Sequence, residues 1–324
     1  MKRKKIEGKV DSALGLLTTK YIAIIAGVVL VGAVTAVAWM LQGRSIAILD
    51  PKGVIAKQQL DLITFTVLLG MVVVIPVFIL LFVFATKYRA TNKKAKYDPD
   101  HHGNTLLELV WWGIPFAIIL ILSIVTWVSS HQLDPYRELS SDKKPVRVQV
   151  VALQWKWLFL YPDQGIASVN ELRIPEKTPV NFEISADSPM STFWIPELGS
   201  QIYAMNGMTT RLSLQADHVG EYRGTNTNIS GEGYAEMNFK TIASSRAEFD
   251  QWVKNLQGLN KHLTWTEYET LAKPSRKQPV VYYMLHESNL YDKIIAKYMD
   301  HGSSHKEDDE ESSTMNHMNH EGMH

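Results

Sequence analysis

Cysteine is absent from all 324 residues, which excludes disulfides, thiolate metal centres and thiol nucleophiles. Net charge is absent as well, since 33 Lys and Arg balance 33 Asp and Glu, and this argues against an electrostatic nucleic-acid binder. Charge is also missing locally. Three uncharged apolar runs, Tyr21–Leu41, Leu62–Thr86 and Leu109–Ser130, each reach the roughly 20 residues that a helix needs to cross hydrocarbon. All lie in the first 130 residues, so a mean hydropathy near zero conceals an apolar first part and a polar remainder.

The first run follows Lys2, Arg3, Lys4 and Lys5, as a secretory signal would, but it is long for that role and ends in "WMLQG" (39–43) rather than a small-residue cleavage pattern. It is expected to be retained. Basic residues set the orientation. Lys87, Arg89, Lys93, Lys94 and Lys96 crowd one connection, whereas the other carries only Arg44, Lys52 and Lys57. The expected layout is a cytoplasmic N-terminus (1–20), a span or signal anchor (21–41), a periplasmic segment (42–61), a span (62–86), a cytoplasmic loop (87–106) and a span (107–130). Everything after it lies outside.

The exported part is β-like over 140–243. "VRVQV" and "TTRLSL" alternate, and "NELRIPEKTPVNFEIS" holds two strand-like runs around a proline turn. "NTNISGEGYAEMNF" (226–239) ends in a period of two, read as a strand with Ala235, Met237 and Phe239 on one face. Trp155 and Trp157 are spaced to share one face of another strand. Short strands at such intervals predict a Greek-key sandwich or barrel. The pattern over 244–302 turns helical: Ser245 with Glu248 and Thr264 with Glu267 form capping boxes, Pro274 ends the second helix, and Leu290–Met299 runs into Gly302. The last residues, 303–324, are acidic, then rich in His and Met, and are expected to be disordered.

The hairpin of spans, "QWKW" (154–157), "FWIPELGSQIYAMNGM" (193–208) and the glycine loop at 226–239 resemble subunit II of the haem-copper terminal oxidases. "AILDPKG", "KYRATNKKAKYDP" and "YPDQGIASVNE" resemble its cytochrome o, ubiquinol-oxidising branch, and the likeness covers roughly 45–300. It implies a membrane helical hairpin, with an extra N-terminal span, followed by a cupredoxin-like domain and a small helical appendix. In members that oxidise cytochrome c, that domain holds a dinuclear copper centre, CuA. Its two His match Ser191 and Tyr234, its two Cys match Asn226 and Ser230, its Glu carbonyl matches Asn228, and its Met matches Met237. Only the methionine retains a soft donor, so no metal is expected on this chain.

The resemblance further implies a proton-translocating oxidase of the bacterial inner membrane, whose haems, CuB and ubiquinol site lie in subunit I. Subunit I, smaller membrane subunits and the lipid bilayer are the expected partners, and nucleic acid is not. This chain then supplies scaffold and outer cap, with no catalytic residue. Glu108, at the inner edge of the third apolar run, reads either as an interfacial carboxylate favoured by a helix N-terminus or, by resemblance, as the entrance to a proton path of subunit I. The branch carries a lipoprotein cysteine where Arg44 stands, so lipid attachment there is not expected and the first run should persist as a span. The alternative is a membrane-anchored cupredoxin-like module that binds metal through Met315, Met318, Met323, His317, His320 and His324. His131, His218 and His286 read as solvated or hydrogen-bonded residues rather than ligands.

Overall fold

The computed structural model describes residues 46–89, 92 and 103–299, with Gly32, Thr35 and Ala36. The rest of the expected first span, Arg44, Lys93, Lys94 and Lys96, Gly302 and the His/Met-rich tail lie outside the described residues. Two compact units divide the chain, Met1–Ile46 with Leu62–Val128, and Ala47–Asp61 with Ser129–His324.

Where no water is present to satisfy the backbone, uncharged Leu, Ile, Val and Phe runs close their hydrogen bonds as helices. Helix α1 spans Val54–Lys87 and α2 spans Thr105–Gln132, with Pro76 and Pro115 inside them. Both are long and apolar enough to cross a membrane. Beyond the first two turns of α1 their side chains are left open, Leu68 at 64%, Phe78 at 65% and Trp111 at 76%, as a surface facing lipid requires.

The first two turns of α1 belong to the second unit, and the "LDPKG" segment before them explains why. Lys52 N donates to Glu197 O at 2.8 Å, Asp217 N donates to Lys52 O at 2.8 Å, and Ala56 N donates to Leu198 O at 3.1 Å. Gly53 bridges Ala216, and a Cβ on it would lie 2.5 Å from Gln215 O, so only glycine admits this approach.

The second unit runs β1 Val146–Leu153, β2 Lys156–Tyr161, β3 Ile166–Val169, β4 Glu171–Pro175, β5 Val180–Ala186, β6 Ser191–Phe193, β7 Ile202–Ala204, β8 Thr210–Leu214, β9 Gly220–Thr225 and β10 Asn238–Ser244. Then follow α3 Arg246–Gln257, β11 His262–Leu263, α4 Trp265–Ala272, β12 Val281–Leu285 and α5 Leu290–Ala296. A seven-stranded sheet of order β11-β12-β3-β2-β1-β5-β8 faces a three-stranded sheet β4-β10-β9, and β6 pairs with β7. β1 runs parallel to β5 and β10 parallel to β4, as in the cupredoxin-like Greek-key domain that the sequence implies, and β11 runs parallel to β12 in the region after it. Between the sheets lie Val148, Trp157, Phe159, Phe182, Phe193 and Phe239. Phe193 and Phe239 stack at 5.2 Å, and Trp157 meets both edge-on at 5.5 and 5.6 Å.

β2 is buried at every position, which breaks the alternation of a one-faced strand. The reason is the C-terminal region. Tyr268, Leu271, Leu290, Tyr291, Ile294 and Ile295 cover the outer face of the large sheet over Leu153, Leu158 and Leu160. A sheet covered on both faces reads as a continuous apolar run.

Five local readings are corrected. The region after 244 is not only helical, because "VYYML", β-branched and aromatic, joins the large sheet as β12 beside β3. Ser245 and Glu248 form the full capping box, but at Thr264 only half of one exists, since the Glu267 carboxylate accepts from the Tyr283 hydroxyl instead. The strand expected from Ala235 begins at Asn238, because Tyr234–Glu236 form a 3₁₀ turn that exposes Ala235. Trp155 and Trp157 do not share a strand face: Trp155 occupies the β1–β2 turn at φ 65°. The last helix also ends earlier than the sequence suggests, at Ala296 with Lys297 as C-cap.

Candidate functional site

β9 stops at Thr225 because Asn226 turns its amide inward instead of continuing the ladder. Asn226 is 5% exposed, and all four hydrogen-bonding positions of its side chain are occupied. Nδ2 lies 3.2 Å from Ser230 Oγ and 3.4 Å from Met237 Sδ, while Oδ1 accepts from Thr192 N at 2.8 Å and Asn228 N at 3.0 Å. Ser191, fully buried, places Oγ 4.0 Å from the same sulfur and donates to Pro189 O at 3.1 Å. Asn226 N closes the loop on Met237 O at 3.2 Å.

Of the six positions matched to metal ligands, the fold therefore gathers four, Ser191, Asn226, Ser230 and Met237, into one buried cluster. Asn228 stays at the rim, where Nδ2 donates to Met190 O at 2.6 Å. Tyr234 is carried away on its 3₁₀ turn and is half-buried. The donor set does not fit a dinuclear copper centre. It offers one thioether, two hydroxyls and an amide whose capacity is spent, and carries no thiolate or imidazole. What remains is a hydrogen-bonded plug that holds β9, β10 and β6 together.

Trp155 closes this plug from above. Its Nε1 donates to Ser230 O at 3.2 Å, and its ring lies on the glycines of the loop. A Cβ on Gly233 would fall 2.4 Å from Trp155 Cδ2, and Gly231 holds φ 107°. Gly233→Ala is expected to lift the indole, to cost about 1–3 kcal/mol by overpacking, and to red-shift tryptophan emission in a spectrum taken beside a denaturant titration. Parental emission and midpoint would show that the ring is not seated there.

Glu108 lies in the first turn of α2, exposed, behind an Asn104 cap that sequence reading passed over. Asn104 Oδ1 accepts from Leu106 N at 2.9 Å and Leu107 N at 3.3 Å. The macrodipole favours a carboxylate in that turn.

Two further charged residues had a faint signal or none. Lys156, the one charge in "KWLFLY", is 1% exposed and donates to Leu271 O at 2.8 Å, Lys273 O at 2.7 Å and Ser275 Oγ at 2.6 Å. Asp187, after β5, accepts from the hydroxyls of Tyr268 and Tyr298 and from Lys297 Nζ at 2.6 Å. Both tie the C-terminal region to the β-domain.

That region, residues 259–302, matches the family model described as the COX aromatic rich motif. The curated relatives include a cytochrome bo(3) ubiquinol oxidase subunit 2 of Pseudomonas putida, 49% identical over 259 residues, covering 80% of this chain and 82% of the relative. The chain belongs to the ubiquinol oxidase subunit 2 family. A ubiquinol oxidase subunit 2 of Acetobacter aceti is 43% identical over 263 residues, 81% of this chain and 85% of the relative. The periplasmic domain of subunit II of cytochrome oxidase of Bradyrhizobium japonicum is 22% identical, covering 36% of this chain and 96% of that one at a TM-score of 0.34. As a ubiquinol oxidase subunit 2, the chain uses its aromatic-rich motif as the second cover of a sheet whose other face carries the core.

Proposed function

We propose that this chain is the copper-free subunit II of a ubiquinol:oxygen oxidoreductase in the bacterial inner membrane, with its β-domain in the periplasm. The observation that carries this reading is the saturated Asn226 amide in the middle of the loop cluster. A subunit that received electrons from a soluble donor would need a relay there. Ubiquinol dissolves in the bilayer and can deliver its two electrons and two protons to a membrane-embedded partner, so the relay is dispensable. Haems, CuB and the quinol site belong to subunit I in this reading. This chain acts as scaffold and cap, and its own contribution to the chemistry is protonic.

Glu108 is the residue for that contribution. A carboxylate at the inner edge of a span can collect and pass protons that dioxygen reduction consumes. Glu108→Gln keeps size and hydrogen-bonding capacity while removing the titratable charge. In the complex purified through a tag on this chain, the Gln variant is expected to assemble fully and to oxidise quinol several-fold more slowly. The loss should fall in the reductive, proton-loading phase, with KM for quinol unchanged. Parental turnover by a fully assembled variant would make Glu108 an interfacial carboxylate only. A preparation without a haem-bearing integral partner would instead favour a membrane-anchored binding module.

A further inference from the structure

The short strand β11 ends the large sheet at one edge, and its pairing with β12 assembles a group of donors that neither segment shows alone. The parallel register sets His262 opposite Met284 and Leu263 opposite Leu285. Leu263 is fully buried beneath α4, and Leu285 packs on the same side. Because side chains alternate along a strand, His262, Met284 and His286 must take the other face.

There the two imidazoles meet edge to face, with centroids 5.8 Å apart and planes at 83°. Two imidazoles that share one metal ion, each nitrogen about 2 Å from it, have their centroids about 5–6 Å apart. Both histidines are exposed, and among the described residues none of their four ring nitrogens has a hydrogen-bond partner. Met284, half-buried and paired in register with His262, brings a thioether to the same face. The neighbouring cation is turned away, Lys261 Nζ lying 4.5 Å over the Tyr283 ring.

We propose that His262 and His286, with Met284 beside them, form a surface site for a single copper ion. Imidazole suits Cu(II), which binds nitrogen donors more tightly than other divalent first-row ions, and the thioether favours Cu(I). The site is remote in sequence from the loop cluster and does not depend on the oxidase reading. His286 thus acquires through the fold a partner that its own sequence neighbourhood does not offer.

The test uses the full-length chain, with whatever copurifies, and copper alone as the probe. His301, His305, His317, His320 and His324 are first replaced by alanine, so that imidazoles of the last residues do not compete. That background is expected to bind one added Cu(II) per chain, with nitrogen hyperfine structure in the difference electron paramagnetic resonance spectrum. His262→Gln and His286→Gln should each weaken binding by at least about tenfold without moving the melting temperature, since neither ring is buried. Met284→Leu should weaken Cu(I) capture. Absence of Cu(II) binding in the background would overturn the proposal. Equal Cu(II) affinity in both Gln variants, or equal Cu(I) affinity in the Leu variant, would do the same.

Discussion

Replacing Lys156 by methionine is expected to release the C-terminal region from the β-domain at a cost of roughly 3 kcal/mol. Methionine preserves the apolar stem in its packed position but leaves Leu271 O, Lys273 O and Ser275 Oγ without their shared donor. Two of those acceptors belong to the end of α4, where the last carbonyls have no partner within the helix. The ammonium therefore acts as a C-cap supplied from β2, and its loss should be read in the denaturant midpoint and in faster proteolysis between 273 and 299. Parental protease resistance would show that apolar cover alone holds the region. A pH profile adds an independent sign. Burial pulls the Lys156 ammonium from 10.5 down to about 8. Between those values the unfolded chain holds the proton more often than the folded one, so stability from this group rises with pH across that window. Below about 8 both states are protonated and the contribution is flat. Lys156→Met should abolish the rise.

Asp187→Ala is expected to cost roughly 2–3 kcal/mol at neutral pH, acting on the other end of the same interface. The carboxylate, 5% exposed, gathers the Tyr268 hydroxyl from α4 with Lys297 and the Tyr298 hydroxyl beyond α5. Without it, the buried Tyr268 hydroxyl and the half-buried Tyr298 hydroxyl lose an acceptor and Lys297 loses its ion pair; the partial exposure of that lysine keeps the electrostatic share small. Burial pushes the Asp187 carboxyl up, but hydrogen bonds from Lys297, Tyr268 and Tyr298 outweigh it and hold it below its ordinary value. A depressed folded value means stability that is present above the unfolded value of 3.8 and lost as pH falls through the folded one. The gap in thermal stability between parent and variant should thus narrow in acid. A gap that persists unchanged through strongly acidic pH would mean that packing, not the charge, supplies the effect.

The second and third apolar helices, the sandwich and the first capping box were legible because each follows from a local period: uncharged runs of bilayer length, alternating strands, and Ser245 three residues before Glu248. The cluster was legible in part. The spacing of Asn226, Ser230 and Met237 identified the loop, but whether their side chains meet depends on β6 delivering Ser191 from a distant segment. Tyr234 shows the limit of spacing: a 3₁₀ turn removes it from the group. The period of two at 235–239 was misleading because Met237 and Phe239 are both buried, although only Phe239 stands on the strand. Lys156 and Asp187 left no usable pattern. A lone lysine in an apolar strand or an aspartate in a turn has meaning only once the aromatic-rich region folds back over them. β12 was missed for the same reason, since its partner β3 lies more than a hundred residues earlier.

The central claim is that the loop cluster is a hydrogen-bonded plug in an oxidase fed by quinol, and near-infrared absorption of the purified, oxidised complex tests it most directly. The account predicts no band from a mixed-valence dinuclear copper centre in a preparation that oxidises ubiquinol with dioxygen. A stoichiometric dinuclear copper band that disappears on Met237→Leu would contradict it.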